Sequence, residues 1–272
     1  MILLVASEKD EASMNIAEQL ISHHGFQRVP ERSSDNPIYS KKMLNGEVSE
    51  LLFIDQEPVN TQDFPFPKPL KLLIFLSRHK SESGKPTLSV HTPGNLGEAL
   101  LGGIPRKVSV SPASAMKEAL IAMKKAQEEL NLEYDVCYEC THHGPSLDLP
   151  TIFVELGSSP AQWRDPEAAE AVARGALAAA SMEKIYPTVL GIGGPHYNAK
   201  FTRKALTTEV AFGHIIPKYA INKVDEEMLR QCIERTVEPV QKAILDWKGI
   251  RGADKKDLLE RLLKLELDFE KI

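Results

Sequence analysis

The sequence predicts an α/β fold, a three-layer α/β/α sandwich built around a mixed β-sheet. Short apolar runs alternate along the chain with amphipathic segments of helical spacing, which is the pattern of strands separated by helices. The dipeptide Asn45-Gly46 lies between two such runs and predicts a tight hairpin, hence some antiparallel pairing. The 272 residues contain no internal repeat and no low-complexity linker. We therefore expect a single domain over 1–272, with a mostly helical stretch over 225–272.

The first third of the chain predicts a strand, a helix, a hairpin and two further strands. The helix begins near Ser7 and Asp10, whose spacing resembles a capping box, and continues until Gly25. The hairpin is expected at an edge of the sheet, and a proline-rich connection follows it. Strands are predicted over residues 2–6, 39–44, 48–54, 71–77 and 87–91.

The remainder of the chain predicts two more helices and three more strands. The dipeptide Ser111-Pro112 begins a helix, since proline is favoured in the first helical turn, and its apolar stripe continues to Leu130. An alanine-rich helix begins at Asp165-Pro166 and ends near Met182. Strands are predicted over residues 134–139, 151–155 and 188–192.

Composition and charge exclude several classes of protein. The chain is 42% hydrophobic and 26% charged, which is typical of globular proteins, and no apolar run approaches the roughly 18 residues of a membrane span. The N-terminus lacks the pattern of a secretory signal, and three cysteines cannot form a disulfide framework, so we expect a reducing, cytoplasmic location and no membrane partner. A net charge of -5 argues against a general nucleic-acid coat protein.

The charges are nevertheless unevenly distributed. Residues 126–170 are strongly acidic, and residues 196–224 are mainly basic. Such a basic segment beside an acidic one suits a ligand that carries phosphates, although solvated helix faces would give the same pattern. The basic residues of this segment are Lys200, Arg203, Lys204, Lys218 and Lys223.

The histidines are the most informative residues for chemistry. His23 and His24 come at a helix end just before Gly25, where a structural role is expected. The other six lie in predicted loops at strand ends, where α/β sheets build sites. Together with Glu155 they favour a metallohydrolase, since zinc binds imidazole and carboxylate ligands. These six are His79, His91, His142, His143, His196 and His214.

Other catalytic motifs are weak or missing. The pair Cys137 and Cys140 has CxxC spacing, but it is predicted to lie on a strand and no second pair follows. The glycine-rich turns lack the spacing of a Walker loop or a dinucleotide fingerprint, so no nucleotide cofactor is indicated. Without a GxSxG elbow, a serine hydrolase is also disfavoured.

Six segments of the chain resemble one known family, the archaeal and plant type of D-aminoacyl-tRNA deacylase. They occur in the order of that family and cover nearly the whole chain, which makes them far more specific together than singly. The segments are SRHKSESGKP (77–86), HTPGN (91–95), ECTHHGP (139–145), FVELGS (153–158), GIGGPHY (191–197) and GHIIPKY (213–219).

The resemblance implies an activity, a cofactor and a fold. It implies hydrolysis of the ester that joins a D-amino acid to tRNA, two zinc ions per chain and a monomer. It also implies a phosphorylase/hydrolase-like α/β fold similar to that of peptidyl-tRNA hydrolase. The tRNA phosphates would then be the ligand of the basic residues named above.

Hydrolysis of an aminoacyl ester requires an oriented water, a base or metal, and donors for the oxyanion. We expect His142 and His143 to activate the water or bind metal, and Glu155 to serve as a ligand, as an orienting partner or as the counter-ion of the substrate ammonium. His79, His91, His196 and His214 are the predicted metal ligands. The backbone N–H groups of Gly144, Gly193 and Gly194 are candidates for the oxyanion site.

Two alternatives remain open at the level of sequence. A peptidyl-tRNA hydrolase or a metallopeptidase-like hydrolase would use similar loop histidines, but a peptidase has no use for the basic segment. A non-catalytic RNA-binding protein would use that segment, but it would not need histidines gathered at strand ends.

Overall fold

A computed structural model of the chain describes residues 1–30, 37–43, 45–67, 69–82 and 84–272. Leu44 of the predicted hairpin and Ser83 of the first family-like segment lie outside the described residues. The strands are β1 (Ile2–Ser7), β2 (Gln27–Arg28), β3 (Ile38–Lys42), β4 (Val48–Ile54), β5 (Leu72–Arg78), β6 (Thr87–His91), β7 (Gly94–Asn95), β8 (Lys107–Val108), β9 (Asp135–Tyr138), β10 (Thr151–Gly157), β11 (Thr188–Ile192), β12 (Ala211–Ile216), β13 (Val240–Leu245) and β14 (Phe269–Lys271). The α-helices are α1 (Glu11–His23), α2 (Ala113–Glu129), α3 (Pro160–Trp163), α4 (Pro166–Ala180), α5 (Ala199–Thr207), α6 (Glu226–Glu234) and α7 (Gly252–Lys264). Within these described ranges, no helix is long and apolar enough to cross a membrane.

The larger sheet is mixed, and this confirms the predicted α/β class. Its eight strands follow the order β2-β3-β4-β1-β5-β10-β6-β9. Strand β1 runs parallel to β4 and β5, β10 runs parallel to β5, and β6 is antiparallel to β10. The predicted hairpin is the antiparallel pair β3–β4, but the short strand β2 pairs outside it, so β2 forms the edge.

A second sheet is present that the sequence does not predict. It has four parallel strands in the order β12-β11-β13-β14. Strands β13 and β14 lie within 225–272, where the sequence predicts a mostly helical stretch; helices α6 and α7 are present there and alternate with these two strands. The apolar part of β13 is the short run from Ala243 to Leu245, and such a run cannot be distinguished from a buried helix segment by periodicity.

The two faces of the larger sheet are covered differently. Helices α1, α2 and α4 pack on one face, and α2 also packs against β12, so that one core joins both sheets. On the other face, Phe75 and Phe153 pack against Phe66 and Leu147 from connecting segments. We call this second face the loop-covered face. Glu155 follows Phe153 by two residues and therefore points to the same face, where no helix competes for the space.

The N-terminal helix is capped by one residue of the predicted capping box. Asp10 is the N-cap of α1, and its carboxylate accepts the backbone N–H of Ser13 at 3.0 Å. Ser7 instead ends β1, and its N–H donates to the Ser13 hydroxyl at 2.8 Å. The helix thus begins three residues later than a cap at Ser7 would place it, because an ionised carboxylate stabilises the positive end of the helix dipole.

Helix α2 is capped by a side chain that is distant in sequence. The carboxylate of the buried Glu238 accepts the backbone N–H groups of Ala113 and Ser114 at 3.0 and 2.8 Å. We expect Glu238→Ala to lower the free energy of unfolding by about 1–3 kcal/mol, because two buried N–H groups then lose their acceptor. Urea titration measures the loss, and Glu238→Gln, which keeps one acceptor oxygen, should lose less. Equal stability of all three proteins would contradict this assignment.

Candidate metal and active site

The candidate site lies on the loop-covered face, where β5, β10 and β6 are neighbours. Glu155 of β10 is in register with Ser77 of β5 and Ser89 of β6. His79 directly follows β5, and His91 is the last residue of β6. Because β10 lies between these two strands, residues that are far apart in sequence meet over its surface.

The segments that follow β9 and β11 close the site. Glu139 forms an isolated antiparallel bridge with Tyr197, and His142 forms a parallel bridge with Pro93. The N–H of Cys140 donates to the carbonyl of His196 at 3.0 Å. These backbone pairings hold the two segments against the end of β6, so their side chains converge on one place.

Among the residues that the structure describes, three groups of side chains could hold a metal ion. The potential ligand atoms within each group all lie within 4.8 Å of one another. The structure therefore brings together five of the six loop histidines with Glu155. The groups are His91, His142 and His143; Cys140, His142 and His196; and His79, Glu139 and Glu155.

The orientations of His142 and His143 are fixed by backbone carbonyls. Nδ1 of His142 donates to the carbonyl oxygen of Cys140 at 2.8 Å, and Nδ1 of His143 donates to that of Gly144 at 2.7 Å. Each Nε2 consequently carries the lone pair, and Nε2 of His143 lies 3.2 Å from Nε2 of His91. In metal-binding histidines, one ring N–H usually donates to an acceptor such as a backbone carbonyl. This hydrogen bond fixes the tautomer and orients the other ring nitrogen toward the metal.

The same three histidines are held in the neutral form. Burial lowers the pKa of His91 and of His142 well below the ordinary value, and the neighbouring His143 adds to the effect. Burial likewise lowers the pKa of His143 to about 4. Neutral imidazoles are the form that binds a metal or accepts a proton from water.

Glu139 is buried at the centre of the site. Its Oε2 lies 2.8 Å from Nε2 of His196 and 3.7 Å from Nε2 of His142. Its Oε1 lies 3.2 Å from Nδ1 of His79, but no hydrogen bond of suitable geometry reaches that oxygen. Burial raises the pKa of Glu139, but the neighbouring His196 and His79 side chains outweigh it and bring the pKa well below its usual range. Glu139 is thus an ionised carboxylate with a free coordination position.

His79 links the two buried carboxylates to Tyr197. Nδ1 of His79 lies 3.4 Å from Oε2 of Glu155, and the Tyr197 hydroxyl contacts Nε2 of His79. Burial disfavours the charged imidazole, yet Glu139 and Glu155 raise the pKa of His79 to about 10. Burial, with a further contribution from the charge of Glu139, raises the pKa of Glu155 to about 7 even though His79 opposes it. Glu155 can therefore bind or release a proton near neutral pH.

The donor set fits zinc. Zinc binds histidine nitrogen, cysteine sulfur and carboxylate oxygen, and side chains of all three kinds are present. Two buried polar atoms, Nδ1 of His91 and Oε1 of Glu139, lack a hydrogen-bond partner. Unpaired polar atoms at a cluster of ligands indicate a missing binding partner such as an ion or water.

The structure does not bring His214 into any of these groups. His214 is buried within β12, where Nδ1 contacts the Thr141 hydroxyl at 3.0 Å and Nε2 contacts the carbonyl of Arg235 at 3.2 Å. Both ring nitrogens are therefore engaged away from the predicted metal site. The Thr141 hydroxyl also accepts the N–H of Ile215, so His214 helps to position the segment that carries His142.

The glycine N–H groups expected to form an oxyanion site are already used. The N–H of Gly144 donates to Leu101, that of Gly193 to Ile216 and that of Gly194 to Gly249. The expectation of an oxyanion site at these glycines was wrong, because these turns use their donors to fix neighbouring loops.

The basic residues fall into two classes. Nζ of Lys200 pairs with Asp246 at 2.5 Å, and Nζ of Lys204 pairs with Glu270 at 2.7 Å. Their charges are thus partly neutralised within the fold. The other three, Arg203, Lys218 and Lys223, are exposed.

Sequence reasoning missed Glu139, Cys140, Tyr197 and Tyr219 as site residues. The sequence predicts a strand that ends at Glu139, but β9 ends one residue earlier, which frees the Glu139 side chain for the site. Cys140 lies with His196 and Tyr219: Sγ is 3.2 Å from Nδ1 of His196 and 3.3 Å from the Tyr219 hydroxyl. The sequence does contain a signal for these residues, since all four lie in segments of the family resemblance.

Comparisons with known proteins identify the family of the chain. The family model for D-aminoacyl-tRNA deacylase matches residues 66–270. The D-aminoacyl-tRNA deacylase of Pyrococcus furiosus is 36% identical and covers 100% of both chains; that of Thermococcus kodakarensis is 38% identical over 99% of this chain and 98% of its own. A crystal structure of a conserved protein of unknown function superimposes with a TM-score of 0.88 at 28% identity, covering 100% of this chain and 95% of the other. The chain therefore belongs to the D-aminoacyl-tRNA deacylase family.

Proposed function

We propose that this chain hydrolyses the ester bond of D-aminoacyl-tRNA and releases the free D-amino acid and tRNA. Family membership supports this activity. The observation that carries the chemistry is the pair of neutral histidines His142 and His143 in the lining of a cavity of about 830 Å³, with the buried, ionised Glu139 behind them at 3.7 Å from His142. An activated ester needs little more than a positioned water and a group that accepts its proton.

We propose that zinc completes the site. His142 belongs to two of the three ligand groups, whereas His79, Glu139 and Glu155 form a separate one, so the donors suffice for two ions. Bound zinc would polarise the ester carbonyl and lower the pKa of a bound water. The chain would act as a monomer in the cytoplasm, where translation produces aminoacyl-tRNA.

In this proposal, His142 and His143 together activate the hydrolytic water. Their carbonyl partners fix each Nδ1 as a donor, so whichever Nε2 is not engaged as a ligand can accept the proton of the water. Adjacent residues project differently, and the two rings meet nearly edge to face with centroids 4.3 Å apart. One imidazole can bind while the other acts as the base.

Glu155 is the candidate partner of the substrate ammonium, and in that role it leaves His79 and Glu139 as the remaining donors of its ligand group. Three other carboxylates line the same cavity, of which Glu82 is exposed to solvent. Asp10 accepts the N–H groups of Ser13 and Arg78, and Glu57 pairs with the Arg78 guanidinium. Their acceptor capacity is already used. A cationic group next to Glu155 would favour its ionised form.

The proposal is tested with three substrates. The purified protein is incubated with D-aminoacyl-tRNA, with N-blocked peptidyl-tRNA and with small peptides. We expect hydrolysis of the first alone, since a blocked amine cannot pair with a carboxylate. Cleavage of peptidyl-tRNA or of peptides would support the other hydrolase classes, and binding without cleavage would indicate an RNA-binding protein.

We further propose that Lys200, Arg203, Lys204, Lys218 and Lys223 contact tRNA phosphates. Replacing Lys200, Arg203 and Lys204 together by Ala should weaken tRNA binding. The slope of log affinity against log salt should become less steep by about 0.7–0.9 for each phosphate that the variant no longer neutralises. Lys42→Ala is the matched control, because Lys42 is exposed and lies outside the basic segment. An unchanged slope in the triple variant would place the RNA surface elsewhere.

A further inference from the structure

Two cavities meet at His142 and His143. The larger one, of about 830 Å³, contains His79, Glu155 and Tyr197 in its lining, and the smaller one measures about 270 Å³. The two histidines and Leu101 line both. A substrate whose scissile bond lies at these histidines can therefore extend in two directions.

The two cavities differ in chemistry. The larger one offers the carboxylate of Glu155, which suits an ammonium group. The smaller one is lined mainly by apolar and aromatic groups and has two charged residues at its rim, Glu98 and Lys223. Among the described residues, no carboxylate lies within ion-pair distance of the Lys223 ammonium. The apolar and aromatic lining consists of Leu96, Leu100, Leu101, Ala220 and the ring of Tyr219.

One wall of the smaller cavity is an exposed apolar loop whose backbone is held by hydrogen bonds and close packing. Leu100 is 86% exposed and Leu101 is 57% exposed. The amide of Asn95 donates to the carbonyl of Gly102 at 2.9 Å, and the N–H of Gly144 donates to that of Leu101 at 2.8 Å. A Cβ at Gly144 would lie 2.2 Å from the backbone nitrogen of Gly103, so the loop backbone packs directly on the residue that follows His143. Exposed leucines held this firmly beside a site indicate a surface for a ligand.

We propose that the smaller cavity binds the 3′-terminal nucleoside of tRNA while the larger cavity receives the amino acid. This inference rests on the proposed function, because the ester of that substrate joins an amino acid to the terminal ribose. An unpaired base binds proteins by stacking on aromatic and apolar side chains, and its phosphate binds a cation. Leu100, Leu101 and Tyr219 supply the first kind of contact, and Lys223 supplies the second. The opposite assignment would place the nucleoside beside the buried Glu155 and leave the ammonium with the solvent-exposed Glu98, whose charge water screens.

Competition kinetics test whether the nucleoside and the amino acid of the substrate bind in different cavities. The trinucleotide CCA and D-tyrosinamide each carry one half of the substrate, and both are used as inhibitors of D-tyrosyl-tRNA hydrolysis. The variants are Leu100→Ser, a residue that lines only the smaller of the two cavities, and separately Lys223→Ala. Exposed residues outside both cavity linings provide matched controls, Ile185→Ser and Lys42→Ala.

We expect each cavity variant to raise the inhibition constant of CCA and the KM for D-tyrosyl-tRNA about tenfold. The inhibition constant of D-tyrosinamide and kcat at saturating substrate should stay within about twofold, and the controls should match the parent protein. The proposal is overturned if the amide constant rises instead, if CCA does not inhibit the parent protein, or if neither constant changes.

The test separates this inference from the proposed function. A parent protein that leaves D-tyrosyl-tRNA intact would refute the function itself. Direct titration of CCA into the same proteins would then still decide the nucleoside site, with a tenfold weaker Kd in the cavity variants supporting it.

Discussion

Replacing His142 by Ala is expected to lower kcat for D-aminoacyl-tRNA by about a thousandfold while changing the Kd for tRNA by less than about threefold. His142 belongs to two of the three ligand groups, and its Nε2 lies 3.7 Å from Glu139. In the proposed function its loss removes both a metal ligand and a neighbour of the buried carboxylate, each of which would act on the reacting water rather than on tRNA. We expect a similar loss for His143→Ala.

Single-turnover hydrolysis and tRNA binding are measured on the same preparations, together with zinc content. His23→Ala is the matched control, because His23 is an exposed histidine at the end of α1. We expect zinc bound per chain to fall in the His142 variant and to remain unchanged in the control. Turnover within about threefold of the parent protein would remove His142 from the chemistry.

The enantiomers of the substrate are expected to differ in rate by about a thousandfold. D and L aminoacyl esters carry the same groups in mirror arrangement, so only a pocket that holds several of them at fixed positions can distinguish the two. With the ammonium at Glu155 and the carbonyl beside His142 and His143, the side chain of one enantiomer must meet the cavity wall. A loss of about 4 kcal/mol in the transition state gives this ratio, since each 1.36 kcal/mol is a factor of ten.

Matched D-tyrosyl and L-tyrosyl esters on one tRNA measure the ratio directly. Glu155→Gln should reduce it mainly by slowing the D substrate, because the amide cannot neutralise the ammonium. Comparable hydrolysis of both esters by the parent protein would refute chiral proofreading.

Much of the secondary structure follows from local pattern. The sequence predicts the strands over 87–91 and 188–192 with the bounds that the structure shows, and helix α2 begins directly after the predicted Ser111-Pro112. These elements have clear apolar periodicity or helix-start signals within a few residues. The parallel strands β13 and β14 lack such a signal, since their stability comes from pairing with each other and with β11.

The same distinction between local sequence pattern and long-range packing applies to the site. Residue type and motif order alone determined the family and the set of histidines, because both are properties of short segments. Only the tertiary structure decided that Glu139 lies between His79 and His196, and that His214 contacts Thr141 instead of the ligand groups. These contacts join residues 57 to 73 positions apart, and the Tyr197 hydroxyl reaches His79 across 118 positions. Such pairs meet because β10 lies between β5 and β6 and because a second sheet carries the His196 segment, and strand order is fixed by long-range packing rather than by local sequence.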